Sequence, residues 1–240
     1  MNWLLFFVWM LPLIGHSSQQ VNSLYEIKLE QIQKDSLILI DIGGTLLQHN
    51  CPLSYKKHKS WVEQWCMENA SHLSADEIKT LILQIKNEND SWVLTDSDWP
   101  LFIEKAKLRG ASVVAFSKLV PIADIRQKRL ARIKALSIEL SNDLSLERGT
   151  AFLYEKGVIE IRSNLKGSCL KEVIGSLKQI PSQIVCIENE EEQIKSIEEV
   201  CLDLDIPCLS FHYTGAKIPD LNPELADKKL FSIVKNNYCR

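Results

Sequence analysis

Short runs of consecutive apolar residues alternate along the chain with stretches whose apolar positions recur at helical spacing. Leu37-Ile38-Leu39-Ile40 is an unbroken aliphatic run that ends on Asp41, and Gly43-Gly44 follow at once. Four aliphatic residues in a row read as a strand buried on both faces, as at the centre of a parallel sheet. Ser112-Val113-Val114-Ala115-Phe116-Ser117 reads as a second buried strand and ends on a hydroxyl. Ile184-Val185-Cys186-Ile187 reads as a third and ends on Glu188-Asn189. Pro207 to Tyr213 is the last strand expected. Thr150 to Tyr154 and Val158 to Ile161 flank Glu155-Lys156-Gly157 and predict a β-hairpin.

Helices are expected between these runs. Val21 to Gln33 reads as a short amphipathic helix, with Leu24, Ile27 and Ile32 on or near one face. From about Gln48 to Asp98 the apolar residues Trp61, Trp65, Leu73, Ile78, Leu81 and Ile85 sit at helical spacings, and no strand is expected there. Ser74 with Glu77 forms a capping box at the start of one of these helices. Trp92 and Trp99, near the exit of this block, read as packing residues. Leu101 to Leu108 is a helix stopped by Gly110. Ile122 to Ile138 is a helix with Arg126, Lys128, Arg129, Arg132 and Lys134, a cluster whose default reading is a solvated face, with phosphate or partner contact the minority one. Ser168 to Leu177, Glu190 to Leu204 and a final helix through Val234 complete the pattern.

This alternation predicts an α/β protein, a three-layer sandwich around a mostly parallel Rossmann-like sheet. A small helical cap, residues 49–99, is inserted after the first strand, and residues 19–48 and 100–240 form the core. The first 18 residues differ. Trp3 to Ile14 is uncharged and apolar, and Gly15-His16-Ser17-Ser18 follow. That run is too short to span a bilayer comfortably, and small residues after it suit a signal-peptide cleavage site. A buried N-terminal helix is the alternative. The expectation is export to the periplasm or beyond, with no stable membrane span once the leader is removed.

Composition narrows the function classes. The chain of 240 residues is 45% hydrophobic and 25% charged, enough for a sizeable core, and its net charge of −3 gives no case for nucleic acid. Seven cysteines show no metal-ligand spacing, and the odd number leaves at least one unpaired if export permits disulfides. Cys186, inside an aliphatic strand, is expected to be a buried thiol. The histidines stand at no triad spacing, and Gly43-Gly44 is not a dinucleotide fingerprint.

Four signals remain, each at a strand end or a helix start: Asp41, Ser117, Lys166 and Glu188-Asn189. In open α/β sheets, ligands bind at the carboxyl ends of the strands. Together these four resemble the motifs of the haloacid dehalogenase-like (HAD) hydrolases, most of which are magnesium-dependent phosphotransferases. The first motif, Asp-x-Asp-x-Thr, stands here as Asp41-Ile42-Gly43-Gly44-Thr45. Ser117 matches the second, Lys166 the third with Lys171 as runner-up, and Glu188-Asn189 the acidic fourth. A closer resemblance, over nearly the whole chain, is to a family of unknown function within that superfamily (DUF2608), made of bacterial proteins that usually carry signal peptides. Lys166-Gly167, Phe211 to Ala216 and Asn222 to Asp227 carry it.

The resemblance implies a Mg²⁺ held by Asp41, the Gly43 carbonyl and Glu188, with Asp41 also the nucleophile. It implies a phosphate site of Gly44, Thr45, Ser117 and Lys166. The departures are Gly43, where the family has a second aspartate that moves the proton, and Glu188-Asn189 in place of a more acidic pair. The expected function is therefore a degenerate Mg²⁺-dependent phosphohydrolase, weak or specialised, acting on a phosphorylated small molecule. The alternative is a non-catalytic protein that binds a phosphorylated ligand or a protein partner. Replacing Gly43 carries one physical risk, a left-handed backbone there that only glycine adopts easily.

Overall fold

The computed structural model describes residues 18–88, 92–120, 123–144, 146 and 149–238. The expected leader, up to residue 17, and Cys239 lie outside the described residues. The centre is a seven-stranded sheet. Its strands are β1 (Gln19–Val21), β2 (Leu37–Ile40), β5 (Ser112–Lys118), β6 (Phe152–Glu155), β7 (Val158–Ile161), β8 (Ile184–Glu188) and β9 (Cys208–Tyr213). Two further strands, β3 (Leu47–His49) and β4 (Trp92–Leu94), form a separate antiparallel pair. The main order is β1-β9-β8-β2-β5-β7-β6, and every neighbouring pair is parallel except the β6–β7 hairpin.

The aliphatic runs explain the layers. Side chains alternate across a strand, so a run apolar at every position has two faces to cover. Ile38 and Ile40 join Val113, Ala115 and Val185 on one face, against α3 (Trp99–Leu108) and α4 (Ala123–Ala135). Leu37 and Leu39 join Val114, Phe116 and Cys186 on the other, against α5 (Lys166–Gly175) and α6 (Glu191–Asp203). The result is the expected three-layer α/β sandwich. Both faces of β2 are buried, so this strand sits at the heart of the molecule.

Three expectations need correction. Val21 to Gln33 is not a helix: its first residue ends strand β1, paired with β9, and two 3-10 turns follow at Leu24–Glu26 and Leu29–Gln31. Leu24, Ile27 and Ile32 are buried all the same. Local capping and tertiary bonds decide the backbone here. Glu26 accepts hydrogen bonds from the amides of Asn22 and Ser23, and Asp96 accepts from the amide of Leu24. Second, the insertion is not free of strands, because β3 and β4 close its two ends together. Third, the edge strand β1 precedes β2, so the insertion follows the second strand of the main sheet.

Within the insertion, α1 (Lys59–Asn69) and α2 (Ala75–Glu88) form the helical part. The Ser74–Glu77 capping box is present, with the Ser74 amide donating to Glu77 at 2.7 Å and the Glu77 amide donating to Ser74 Oγ at 3.3 Å. A third hydrophobic cluster joins Val62 and Trp65 of α1 and Leu81 of α2 to Ala226 and Leu230 of α7 (Pro223–Tyr238). Trp65 Nε1 donates to Asp227 at 2.6 Å across that contact. The helical layer is therefore built from two distant stretches of chain. No helix of the described residues is long and apolar enough to cross a membrane. The six described cysteines are free thiols, and Cys186 is buried as expected.

Candidate functional site

Strand register brings the predicted residues together. Ile40 is paired with Ala115 on one side and Ile187 on the other, so Asp41 lies one residue beyond, level with Phe116 and Glu188. The Asp41 amide donates to the Ile187 carbonyl at 3.0 Å. The chain then turns back on itself. Leu46 and Leu47 amides donate to the Asp41 and Ile42 carbonyls, and the Gly44 amide donates to Leu47 at 2.8 Å. The left-handed residue of this turn is Gly44, with φ of +90°; Gly43 has no positive φ, and a Cβ there would meet nothing within 4 Å. The risk expected at position 43 thus belongs to position 44.

Lys166 is the first residue of α5 and is only 2% exposed. Its Nζ lies 2.5 Å from Asp41 Oδ1 and also bonds Glu188 Oε2, so one ammonium bridges two carboxylates. Lys171 is exposed, which leaves Lys166 as the lysine of the site. Gly167 makes this possible. Its amide donates to Ser196 Oγ at 3.1 Å, and a Cβ at this position would stand 1.9 Å from the Ser196 carbonyl oxygen. Only a glycine lets the start of α5 approach α6 so closely. Gln193 then accepts from the Lys166 amide at 2.9 Å.

Glu188 is anchored at both oxygens. Its Oε1 accepts from the amides of Asn189 and Glu190 at 3.0 and 3.2 Å. Burial pushes its carboxyl up to about 7, Asp41 adds to the rise, and Lys166 opposes it. Burial works against the charge on Lys166, but Asp41 and Glu188 outweigh it and hold the ammonium above its ordinary value. A buried charge persists only when paired in this way.

The structure adds a residue of the basic cluster whose default reading was a solvated face. Arg129 of α4 is 7% exposed and donates through Nη1 to Ser117 Oγ at 3.4 Å. Its Nη2 pairs with buried Glu160 on β7, and Arg126 Nε stands 3.6 Å from the same carboxylate. Arg129 Nε has no hydrogen-bond partner among the described residues. Burial draws the guanidinium pKa down from its ordinary value, while Glu160 and Asp41 oppose that. Arg132 is half-buried and donates to the Trp92 carbonyl at 2.8 Å. Of the basic cluster, Lys128 and Lys134 remain exposed. A sequence signal for Arg129 exists: it stands four residues after Ile125 and four before Ile133, inside the apolar stripe of α4.

A cavity of about 720 Å³ adjoins the group of Asp41, Lys166 and Glu188, lined by its neighbours Gly43, Gly44 and Asn189 and not by those three residues themselves. Its polar lining includes Gly43, Gly44, Ser117, Lys118, Arg129, Asn189 and Glu190. Leu47, Tyr55, Trp92, Leu119 and Ile218 supply apolar walls. Trp92 therefore lines the cavity, beyond the packing expected of it, and its ring centroid is 3.5 Å from that of His49. Trp99 is fully buried in the core, as expected. Thr45 stands apart: it is fully buried, its carbonyl accepts from Thr95 Oγ1 and from Trp99 Nε1, and its hydroxyl has no partner among the described residues. It ties the turn to the core through its backbone.

Among the described residues no group of three or more His, Cys, Asp and Glu is arranged to hold a metal. Two oxygens near Asp41 are nonetheless uncommitted. Asp41 Oδ2 and the Gly43 carbonyl accept no hydrogen bond among the described residues. A carboxylate and a carbonyl oxygen suit a hard divalent cation that keeps most of its water.

Comparison with known proteins places the chain. A protein of Chlamydia trachomatis serovar D called "Putative outer membrane protein" is 25% identical over 244 residues, covering 92% of this chain and 87% of its own length. A protein of the same description from Chlamydia muridarum is 24% identical over 239 residues, covering 90% and 85%. The model of the family described as "Protein of unknown function (DUF2608)" matches residues 17–235. With this match covering most of the chain, through the last turns of α7, the chain belongs to the DUF2608 family.

Proposed function

We propose that the chain is an HAD-like phosphohydrolase with a reduced catalytic set, acting on phosphate monoesters whose alcohol leaves readily. The observation that carries this reading is the Lys166 ammonium, 2.5 Å from Asp41 and bonded to Glu188, at the adjoining ends of β2 and β8. An enzyme that attacks phosphorus with a carboxylate needs that carboxylate ionised and fixed, and a buried ammonium does both. A Mg²⁺ held by Asp41 Oδ2 and the Gly43 carbonyl, with Glu188 reached through water, would screen the phosphate's negative charge.

The residues then divide the work. Asp41 attacks phosphorus, the P–O bond to the alcohol breaks, and the alcohol oxygen leaves with the electron pair. Lys166 and Ser117 steady the phosphoryl oxygens. No side chain at position 43 protonates the leaving oxygen or activates water afterwards. General acid–base help of that kind contributes roughly 10²–10⁴-fold, so its loss confines the enzyme to good leaving groups and slows release of the phosphoryl group from Asp41.

The test is turnover of p-nitrophenyl phosphate with Mg²⁺ by the full chain and by Asp41→Asn. The expected result is a burst of nitrophenolate followed by slow turnover, both abolished in the variant. If wild type and variant are equally inert, the enzyme reading fails. A second reading then takes its place, a non-catalytic protein that holds a phosphorylated ligand or a protein partner. The bare Gly43 and the full engagement of both Glu188 oxygens favour it. We also propose export to the cell envelope or beyond, supported by the apolar start of the chain and by the description given to its chlamydial relatives. Fractionation of cells expressing the full chain checks this, and an intact leader on cytoplasmic protein would refute it.

A further inference from the structure

Arg129 is more than nine-tenths buried, lines the cavity, and holds Ser117 only through a 3.4 Å contact. A guanidinium has five N–H donors in a rigid fork suited to phosphate oxygens. Here Nη2 is taken by Glu160, while Nε lacks a partner among the described residues. Glu160 pairs with both Arg129 and the half-buried Arg126, and Asp41 is the other acid that acts on Arg129.

The rest of the cavity is of a different character. Leu47, Tyr55, Trp92, Leu119 and Ile218 make apolar walls, and the Trp92 ring lies against His49, whose carbonyl accepts from Tyr55 at 2.6 Å. Its volume, about 720 Å³, is that of a site for a compact organic molecule. The lining cations are few. Lys118 pairs with Glu190 at 3.6 Å and Arg129 with Glu160, a set that suits one phosphate group and not a polyphosphate chain.

We infer that Arg129, with Ser117, binds the phosphate of a monoester whose alcohol part is an aromatic or comparably large apolar group seated against Trp92. This deepens the phosphohydrolase reading and rests on it. The chemistry agrees with the shape. Phenol-type oxygens leave without a general acid, and the site lacks one at position 43.

The experiment is calorimetric titration of the full chain, in Mg²⁺ buffer, with phenylphosphonate and with methylphosphonate, neither of which has a P–O–C ester to cleave. Wild type is expected to bind phenylphosphonate at least tenfold tighter than methylphosphonate. Arg129→Met weakens both at least tenfold and leaves their ratio unchanged. Trp92→Ala collapses the ratio and leaves methylphosphonate binding as it was. Because Arg129→Met takes from Glu160 its nearer partner and leaves only Arg126, the double variant Arg129→Met with Glu160→Gln is measured beside it and should show the same loss. Equal affinities for the two phosphonates overturn the inference. So does wild-type binding in the folded double variant, or binding of neither phosphonate by wild type. Asp41-dependent turnover of p-nitrophenyl phosphate is read separately, so failure here is distinguishable from failure of the phosphohydrolase reading.

Discussion

Gly44 and Asn189 are locked against each other: a Cβ on Gly44 would stand 2.5 Å from Asn189 Nδ2, and the Gly44 backbone is left-handed at φ +90°. The neighbouring Gly43 has neither constraint. One glycine of the pair is there for its backbone, while the other is an absence of side chain.

That asymmetry predicts opposite tolerance. Gly44→Ala should cost about 1–3 kcal/mol, the usual price of a strained non-glycine residue, and displace Asn189. Gly43→Ala should stay within about 0.5 kcal/mol, as at a surface position without special geometry. Urea unfolding of both variants measures this; equal losses would contradict the geometry.

Gly43→Asp should fold like wild type and add a proton donor beside Asp41. Hydrolysis of alkyl phosphates should then rise by a factor approaching 10² or more, within the range general acid–base help provides. Aryl phosphates, which need less help, should gain less. Steady-state rates on one alkyl and one aryl phosphate decide it. An unchanged rate for both would move the defect to Glu188-Asn189.

Lys166→Met removes the ammonium shared by Asp41 and Glu188 and leaves two carboxylates facing each other. Breaking a buried pair costs about 3–5 kcal/mol. Added Mg²⁺ should restore part of that loss and raise the melting temperature of the variant more than that of wild type. If Mg²⁺ shifts neither, Asp41 and the Gly43 carbonyl do not form a cation site.

Gly167→Ala and Gly175→Ala lie in the same helix and should differ in sign. A Cβ at 167 meets the Ser196 carbonyl at 1.9 Å, so α5 must move off α6 and carry Lys166 with it. The expected cost is about 1–3 kcal/mol, typical of overpacking, with a lower rate on aryl phosphates. Gly175 has nothing within 4 Å, and alanine there should gain up to about 1 kcal/mol from helix propensity. Thermal melting and one activity assay cover both.

The sheet and the grouping at its centre are legible in the sequence for a simple reason. A strand buried on both faces must be apolar at every position, so Leu37 to Ile40, Val113 to Phe116 and Ile184 to Ile187 stand out against any background. Polar residues that end such runs, namely Asp41, Ser117 and Glu188, then fall together at the carboxyl ends of the strands once these pair in parallel. Gly167 beside Lys166 likewise leaves a local mark.

Other parts have no local mark. Strands β1, β3 and β4 are three residues each, too short for a period to register, and they exist because a partner strand supplies the hydrogen bonds. Burial of Arg129 depends on α4 docking over β5 and β7, where Ser117 and Glu160 wait for it. By itself, the sequence determined which residues had to be interior and which acids and bases stood at strand ends, because burial and period are properties of neighbours along the chain. Tertiary structure alone decided that Gly44, not Gly43, holds the turn. It alone made Arg129 a cavity residue and Trp92 a wall. Each of those depends on groups brought close by the fold from far along the chain.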